Sequence, residues 1–291
     1  MRPLRKCAQT LWALGNVTVS VGLAALPGAA RSAPPITAPP IIALAFDDAS
    51  GGLWKATSQS LAHSLNEGRT WKSVALPATA KGNIVALTIS AGRAKTIYVA
   101  VVGSGVLQSH DGGRTWLARN QGLSNSEVVT LAAHSTQPRT VYAYVVGKGI
   151  FRSRDAGASW NLVDHGPRES VVQLAHSSML SGIGTGWLFA ATRKGVRRAI
   201  DCFCGWQKAG IVELSFRVVA SDPVWRDRVY AAAPEGLFIS HDGGGHWTRM
   251  QSPVAAITAF ASTPTRRVYG AINGKLIRSE NRGVTWEFVA E

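Results

Sequence analysis

From Ile41 onwards the hydrophobic positions fall in short runs separated by turns rich in Gly, Asp and Asn. A leading apolar run, such as Ile84-Val85-Ala86-Leu87 or Val128-Val129-Thr130-Leu131, gives way to a polar loop. A second run follows: Thr96-Ile97-Tyr98-Val99-Ala100, then Thr140-Val141-Tyr142-Ala143, and further on Arg228-Val229-Tyr230-Ala231. A glycine opens the third run, as in Gly105-Val106-Leu107-Gln108-Ser109, Gly149-Ile150-Phe151-Arg152-Ser153 and Gly236-Leu237-Phe238-Ile239-Ser240. β-Branched and aromatic runs punctuated in this way predict strands joined by hairpins, with no helix longer than a turn.

The turn after each third run has its own signature, Ser-x-Asp-x-Gly-x-Thr-Trp. Copies start at Ser64, Ser109, Ser153, Ser240 and Ser279 and end at Trp71, Trp116, Trp160, Trp247 and Trp286. Asp111, Asp155 and Asp242 hold the acid position, and Asn66 and Asn281 replace it. The gap between Trp160 and Trp247 is twice the usual period. Near its middle, Ala199-Ile200-Asp201-Cys202-Phe203-Cys204-Gly205-Trp206 keeps Asp201 and Trp206 in register while losing the Ser, Gly and Thr. Successive tryptophans then lie 45, 44, 46, 41 and 39 residues apart. Four strands in each of six such units predict an all-β fold, a six-bladed β-propeller of four-stranded antiparallel blades. The repeats run over about 41–80, 81–124, 125–168, 169–210, 211–252 and 253–291. The last unit ends on its own fourth strand, so no strand exchange at ring closure is evident, though residues 34–40 can contribute.

These turns resemble the Asp-box, or bacterial neuraminidase repeat, of the WD40/YVTN/BNR-like β-propeller superfamily. The resemblance covers the whole chain after residue 40. It implies the propeller fold strongly and an activity only weakly, because the repeat occurs in sialidases, xyloglucan-hydrolysing enzymes, sortilin-type receptors and photosystem II assembly and stability factors. The motif itself reads as structural. A short Asp accepts N–H groups of its own turn, Gly permits φ > 0, and Trp anchors the turn on the sheet. One carboxylate per turn falls far short of the 6–8 oxygens that calcium takes, so neither a metal nor a cofactor is expected.

The first 33 residues differ from the rest. Arg2, Arg5 and Lys6 precede an apolar stretch from Leu11 to Leu26, and Gly28-Ala29-Ala30 offers small residues for cleavage. That pattern predicts a secretory signal peptide over 1–33 with a Pro-rich exit segment over 34–40; an uncleaved N-terminal anchor is the alternative. The propeller is expected to be exported, secreted or periplasmic, with no stable membrane insertion after cleavage. The 291 residues carry 31 Lys+Arg against 17 Asp+Glu, a net charge of +14. Losing the signal removes four of those cations and no acid, leaving +10. The basic residues are spread over many loops, without the alternating aromatic and basic stripe of single-strand binders, so no nucleic-acid partner is expected. Cys202 and Cys204 stay in the exported chain, where either a local disulfide or two free thiols fits.

Candidate chemistry lies outside the repeat. Glu127, Glu169 and Glu213 each sit just before a leading strand, where three adjacent blades can present them to the mouth of the central channel. Gln173 and Arg217 are polar interruptions in the same blades. Together these five form a possible channel-mouth ligand site. Arg193, Lys194, Arg197 and Arg198 form the densest basic group, a possible patch for docking a partner. Tyr98, Tyr142, Tyr230 and Tyr269 share one second-strand slot and read as core, so a sialidase nucleophile would have to be Tyr144. The expectation is a monomeric, non-catalytic scaffold binding a protein partner or a glycan, with a sialidase-like or xyloglucanase-like glycoside hydrolase as the alternative.

Overall fold

The computed structural model describes residues 38–290, apart from 93–95, 124–126, 183, 185, 211–212 and 254–255. The expected signal peptide over 1–33, and most of the exit segment, lie outside the described residues.

All the described strands belong to six blades of four. Blade 1 holds β1 (Ala43–Asp47), β2 (Gly52–Ala56), β3 (Leu61–Ser64) and β4 (Lys72–Val74); blade 2 holds β5 (Ile84–Ile89), β6 (Ile97–Val101), β7 (Gly105–Ser109) and β8 (Leu117–Ala118). Blade 3 comprises β9 (Val128–Ala133), β10 (Val141–Val145), β11 (Gly149–Ser153) and β12 (Asn161–Asp164). In blade 4 are β13 (Val171–Ser177), β14 (Trp187–Thr192), β15 (Gly195–Ile200) and β16 (Gln207–Lys208). Blade 5 runs through β17 (Val218–Ser221), β18 (Val229–Ala233), β19 (Gly236–Ser240) and β20 (Thr248–Arg249), and blade 6 through β21 (Ala259–Ser262), β22 (Val268–Ile272), β23 (Lys275–Ser279) and β24 (Glu287–Phe288). Each blade pairs its strands in chain order, so the ring closes without exchanging a strand.

The hydrophobic core is divided into six clusters, one in each space between neighbouring blades. Second strands such as β6, β18 and β22 are therefore buried along their whole length, on both faces of the pleat. Closure is the packing of blade 1 on blade 6, with Ile41, Leu44 and Leu53 against Ala259, Tyr269 and Leu276.

The repeated turn works as a small hydrogen-bonded knot. In blade 2, Ser109 Oγ donates to Asp111 Oδ1 and accepts Gly113 N–H, and Asp111 in turn accepts the N–H and the hydroxyl of Thr115. Asn66 and Asn281 keep the geometry by reversing one bond: their amide Nδ2 donates to Thr70 or Thr285. The glycine and the residue before it both lie at positive φ, as in Ala156 (62°) and Gly157 (87°). The tryptophans do more than hold their own turn. Trp116 donates Nε1–H to Ala75 O, Trp160 to Arg119 O and Trp247 to Ala209 O, each tying its blade to the preceding one.

The fourth copy departs from this scheme, and its acid requires a correction. Asp201 does not tie its own turn. It is buried at the boundary of blades 3 and 4, where it accepts Tyr142 Oη (2.5 Å) and pairs with Arg152 (3.3 Å). Phe203, at φ 56°, takes the turn, and Cys202 and Cys204 are joined in a disulfide.

Candidate functional site

The inner strands leave one edge of each sheet facing the channel, and bare N–H groups there need acceptors. The polar interruptions supply them. Thr88 Oγ1 accepts Ala133 N–H, Thr130 Oγ1 accepts Leu174 N–H and Gln173 Oε1 accepts Val219 N–H, linking blade to blade. Gln173 is thus a structural tie as well as a wall of the channel.

At the end of the channel where the inner strands begin lies a cavity of about 580 Å3. Its wall is mainly strand backbone and small apolar side chains, and its charged groups are Arg193, from the turn after β14, and Arg217, just before β17. Both are exposed, and neither side chain makes a hydrogen bond or ion pair with the described residues. No carboxylate lines this cavity among the described residues.

This corrects the expected trio of glutamates. Glu169 turns away to Arg197 (2.5 Å) and Glu213 to Lys208 (2.6 Å), and Glu127 is exposed and absent from the cavity wall. The Arg197 bond holds the Glu169 carboxyl below the ordinary range, and the Lys208 bond does the same for Glu213. Of the predicted mouth residues, the structure places Gln173 and Arg217 on the cavity.

The basic group also separates. Arg193 and Lys194 are exposed at the turn, but alternation along β15 sends its two arginines to opposite faces. Arg197 is only 7% exposed, and Arg198 donates to Gly243 O in blade 5 and stacks on Trp187 (5.0 Å). No four-residue surface patch exists; half of it is interior cement, and Arg193 belongs to the channel mouth.

A buried cluster escaped the sequence reading. His134 and His176 stack with ring centroids 3.8 Å apart, and His134 Nε2 lies 3.8 Å from Asp201 Oδ2. Their possible ligand atoms fall within 4.8 Å of one another. The donor set nevertheless does not fit a cation. His134 Nδ1 accepts N–H groups from Thr136 and Gln137, and His176 Nδ1 accepts the N–H of Ser135, so each neutral ring carries its proton on Nε2. A metal at Nε2 needs that nitrogen's lone pair. Stacked rings, moreover, aim their lone pairs side by side instead of at a common point.

Why His134 accepts loop amides is clear from its place. At the end of each inner strand or just after it, one side chain accepts a backbone N–H of the following loop: Asp47, Ser90, His134, Ser177, Asp222 and Thr263 in blades 1 to 6. The chemistry repeats while the residue type changes, which hides it from a search for identities.

The four strand-slot tyrosines are buried, and burial raises each hydroxyl above its ordinary range; Asp201 and Asp222 push Tyr142 and Tyr230 further up. Tyr144 is half-buried against the core between blades 3 and 4.

No family model matches the chain, and no curated protein matches it. Among solved structures, a GH74 enzyme of Niastella koreensis is similar over 86% of this chain and 47% of its own, with a TM-score of 0.62 and 15% identity. YCF48 bound to D1 peptide is similar over 87% of this chain and 83% of its own (TM-score 0.58, 16% identity). Saccharomyces cerevisiae Sqt1 is similar over 88% and 86% (TM-score 0.58, 12% identity). The chain spans about half the length of the GH74 enzyme. At these identities the likeness shows the propeller fold, which serves both hydrolases and binding proteins.

Proposed function

We propose that the chain is an exported, non-catalytic binding propeller that receives a carboxylate-bearing segment of a protein partner at its channel mouth. One observation carries this reading: Arg193 and Arg217, on adjacent blades, line the cavity with no partner among the described residues and no acid on its wall. Two open guanidinium forks match carboxylates, while the charge of Lys194 beside them is already offset by Glu169 and Glu213. YCF48, a fold neighbour, binds a peptide. The Cys202–Cys204 disulfide agrees with an oxidising compartment. The likeness to GH74 folds favours a hydrolase, but glycosidic cleavage usually takes two carboxylates across the bond, and this mouth offers none among its described residues.

Fluorescence anisotropy with a labelled peptide ending in Asp-Glu and a free C-terminus tests the reading. Wild type is expected to bind, more weakly as salt rises from about 0.05 to about 0.5 M, and the Arg193→Ala/Arg217→Ala variant to bind on the order of tenfold less. Equal binding by the double variant, or release of reducing sugar from xyloglucan, overturns it.

A further inference from the structure

The opposite face, where the repeated turns lie, holds a second cavity between blades 5 and 6. Its volume is about 530 Å3, and its wall joins apolar groups, Trp225, Ile239, Met250 and Val284, to the cations Arg228, Arg266 and Arg282. No carboxylate lines it among the described residues.

The neighbouring blade 6 offers a direct comparison, because it carries an arginine at the same place. Arg228 precedes β18 in blade 5 as Arg267 precedes β22 in blade 6, and each accepts, at its carbonyl oxygen, a bond from its own loop: Asp222 N–H in the first case, Thr263 Oγ1–H in the second. Arg267 is satisfied by two carboxylates. Glu280, second in its own blade's turn, accepts Nε (3.0 Å), and Glu67, fourth in the next blade's turn, accepts Nη1. Around Arg228 the same two turn positions are His241 and Arg282. An acid is replaced by a neutral base at one place and by a second cation at the other.

Arg228 consequently lacks what Arg267 has. Its side chain is only 8% exposed, yet Nε and Nη1 make no hydrogen bond; Nη2 donates to His241 Nδ1 (3.3 Å). Of the anions around Arg228, Asp222 is the one placed in an ion pair with it. Its Oδ2 lies 3.8 Å from Arg228 but accepts Arg282 Nη1 (2.8 Å) and Tyr230 Oη (3.3 Å), while Oδ1 takes the N–H groups of Val224 and Trp225. One carboxylate therefore faces two cations, Arg228 buried and Arg282 half-buried. Both guanidiniums also lie by the Trp225 ring, at 4.0 and 4.3 Å, and that ring is 51% exposed. Burial, and then Arg228, push the His241 imidazole below its ordinary range, which keeps it a neutral acceptor. Asp242, next to it, is occupied with Ser240 and His246, and Asp227 is exposed outside this cavity's wall.

We infer that this cavity is a binding site for a small amphipathic carboxylate, whose anionic head takes the place that Glu280 and Glu67 fill at Arg267 and whose apolar body lies among Trp225, Met250 and Val284. Charge-assisted bonds to a guanidinium in a desolvated place are the strong kind.

The probe is 4-phenylbutyrate, with the neutral 4-phenylbutanamide as its isostere, followed by calorimetry and saturation-transfer NMR on the intact chain. Saturable binding of the acid is expected, on the order of tenfold tighter than the amide. His241→Glu copies the arrangement at Arg267, so it is expected to raise the melting temperature and to abolish binding, a pair of effects that misfolding cannot produce. Arg193→Ala/Arg217→Ala is expected to leave binding unchanged, which separates this site from the channel mouth. The inference falls if acid and amide bind alike, if the acid does not bind at about 10 mM, if His241→Glu binds as wild type, or if only a peptide carboxylate and no small acid is taken.

Discussion

At the scale of single residues, the turn acids separate a charge from a shape. Burial pulls the Asp155 carboxyl upward, but bonds from Ser159 and Ser153 outweigh it and hold it at about 2; Thr115 first, with Ser109 and Arg114, likewise holds Asp111 low. A carboxyl depressed below its unfolded value near 4 adds stability that is complete above about pH 5 and lost as pH falls through the folded value near 2. Asn66 and Asn281 show that an amide keeps the turn without titrating. Asp155→Asn should therefore cost about 1 kcal/mol at pH 7 after allowance for solvent screening, and progressively less as pH falls towards about 2. Urea melts from pH 2 to 7 will show the two curves converging in acid; parallel curves would sink the assignment. This turn was legible in the sequence because the bonds of its Ser and Asp or Asn side chains lie within eight residues. The caps at Asp47, Ser90, His134, Ser177, Asp222 and Thr263 were not, since any acceptor serves there and four residue types share the six places.

At the scale of elements, the strand pattern read correctly because burial on both faces demands continuous apolar runs, as in β6 and β18. What the pattern hid was the direction of individual polar side chains. Glu169 and Arg217 both sit ahead of an inner strand, yet one turns to Arg197 and the other to the channel. The polar residues within inner strands are explained by the bare edges they cap. Thr130→Val keeps the shape and strands the buried Leu174 N–H, so it should lower stability by about 1–3 kcal/mol; a loss within 0.3 kcal/mol of zero would show water serving instead. The disulfide in the fourth turn is a different case. It closes a loop of two-residue separation, so Cys202→Ser/Cys204→Ser should cost no more than about 1.5 kcal/mol in a reversible melt. The turn keeps its other anchor, Trp206 Nε1–H to Asp164 (2.7 Å).

At the scale of the whole molecule, five of the six blade contacts join units that follow one another in sequence, and the sixth must bring residues 41–74 to residues 259–289. No exchanged strand secures it. Apolar packing does most of the work, helped by Thr258 Oγ1 donating to Ile41 O and by a charged clasp in which Glu67 receives Arg267 and Arg278 while Glu280 and Glu287 flank them. Gly68 completes the fit: it sits at φ +88°, and a Cβ there would lie 2.2 Å from Leu276 Cδ2. Two substitutions separate the contributions. Glu67→Gln weakens a clasp that is partly in water, so the expected loss is about 1 kcal/mol, or a few degrees in melting temperature, and it should shrink in about 1 M salt. Gly68→Ala strains the backbone and pushes on a buried leucine, so a larger loss, about 2–4 kcal/mol, should persist in salt. Hydrogen exchange locates both effects. Amides of β1 to β3 and β21 to β23 should lose protection before those of blades 3 and 4, because opening the one non-sequential contact frees blades 1 and 6 while their inner neighbours stay packed. Uniform loss around the ring would mean that the propeller melts as a single unit with no seam.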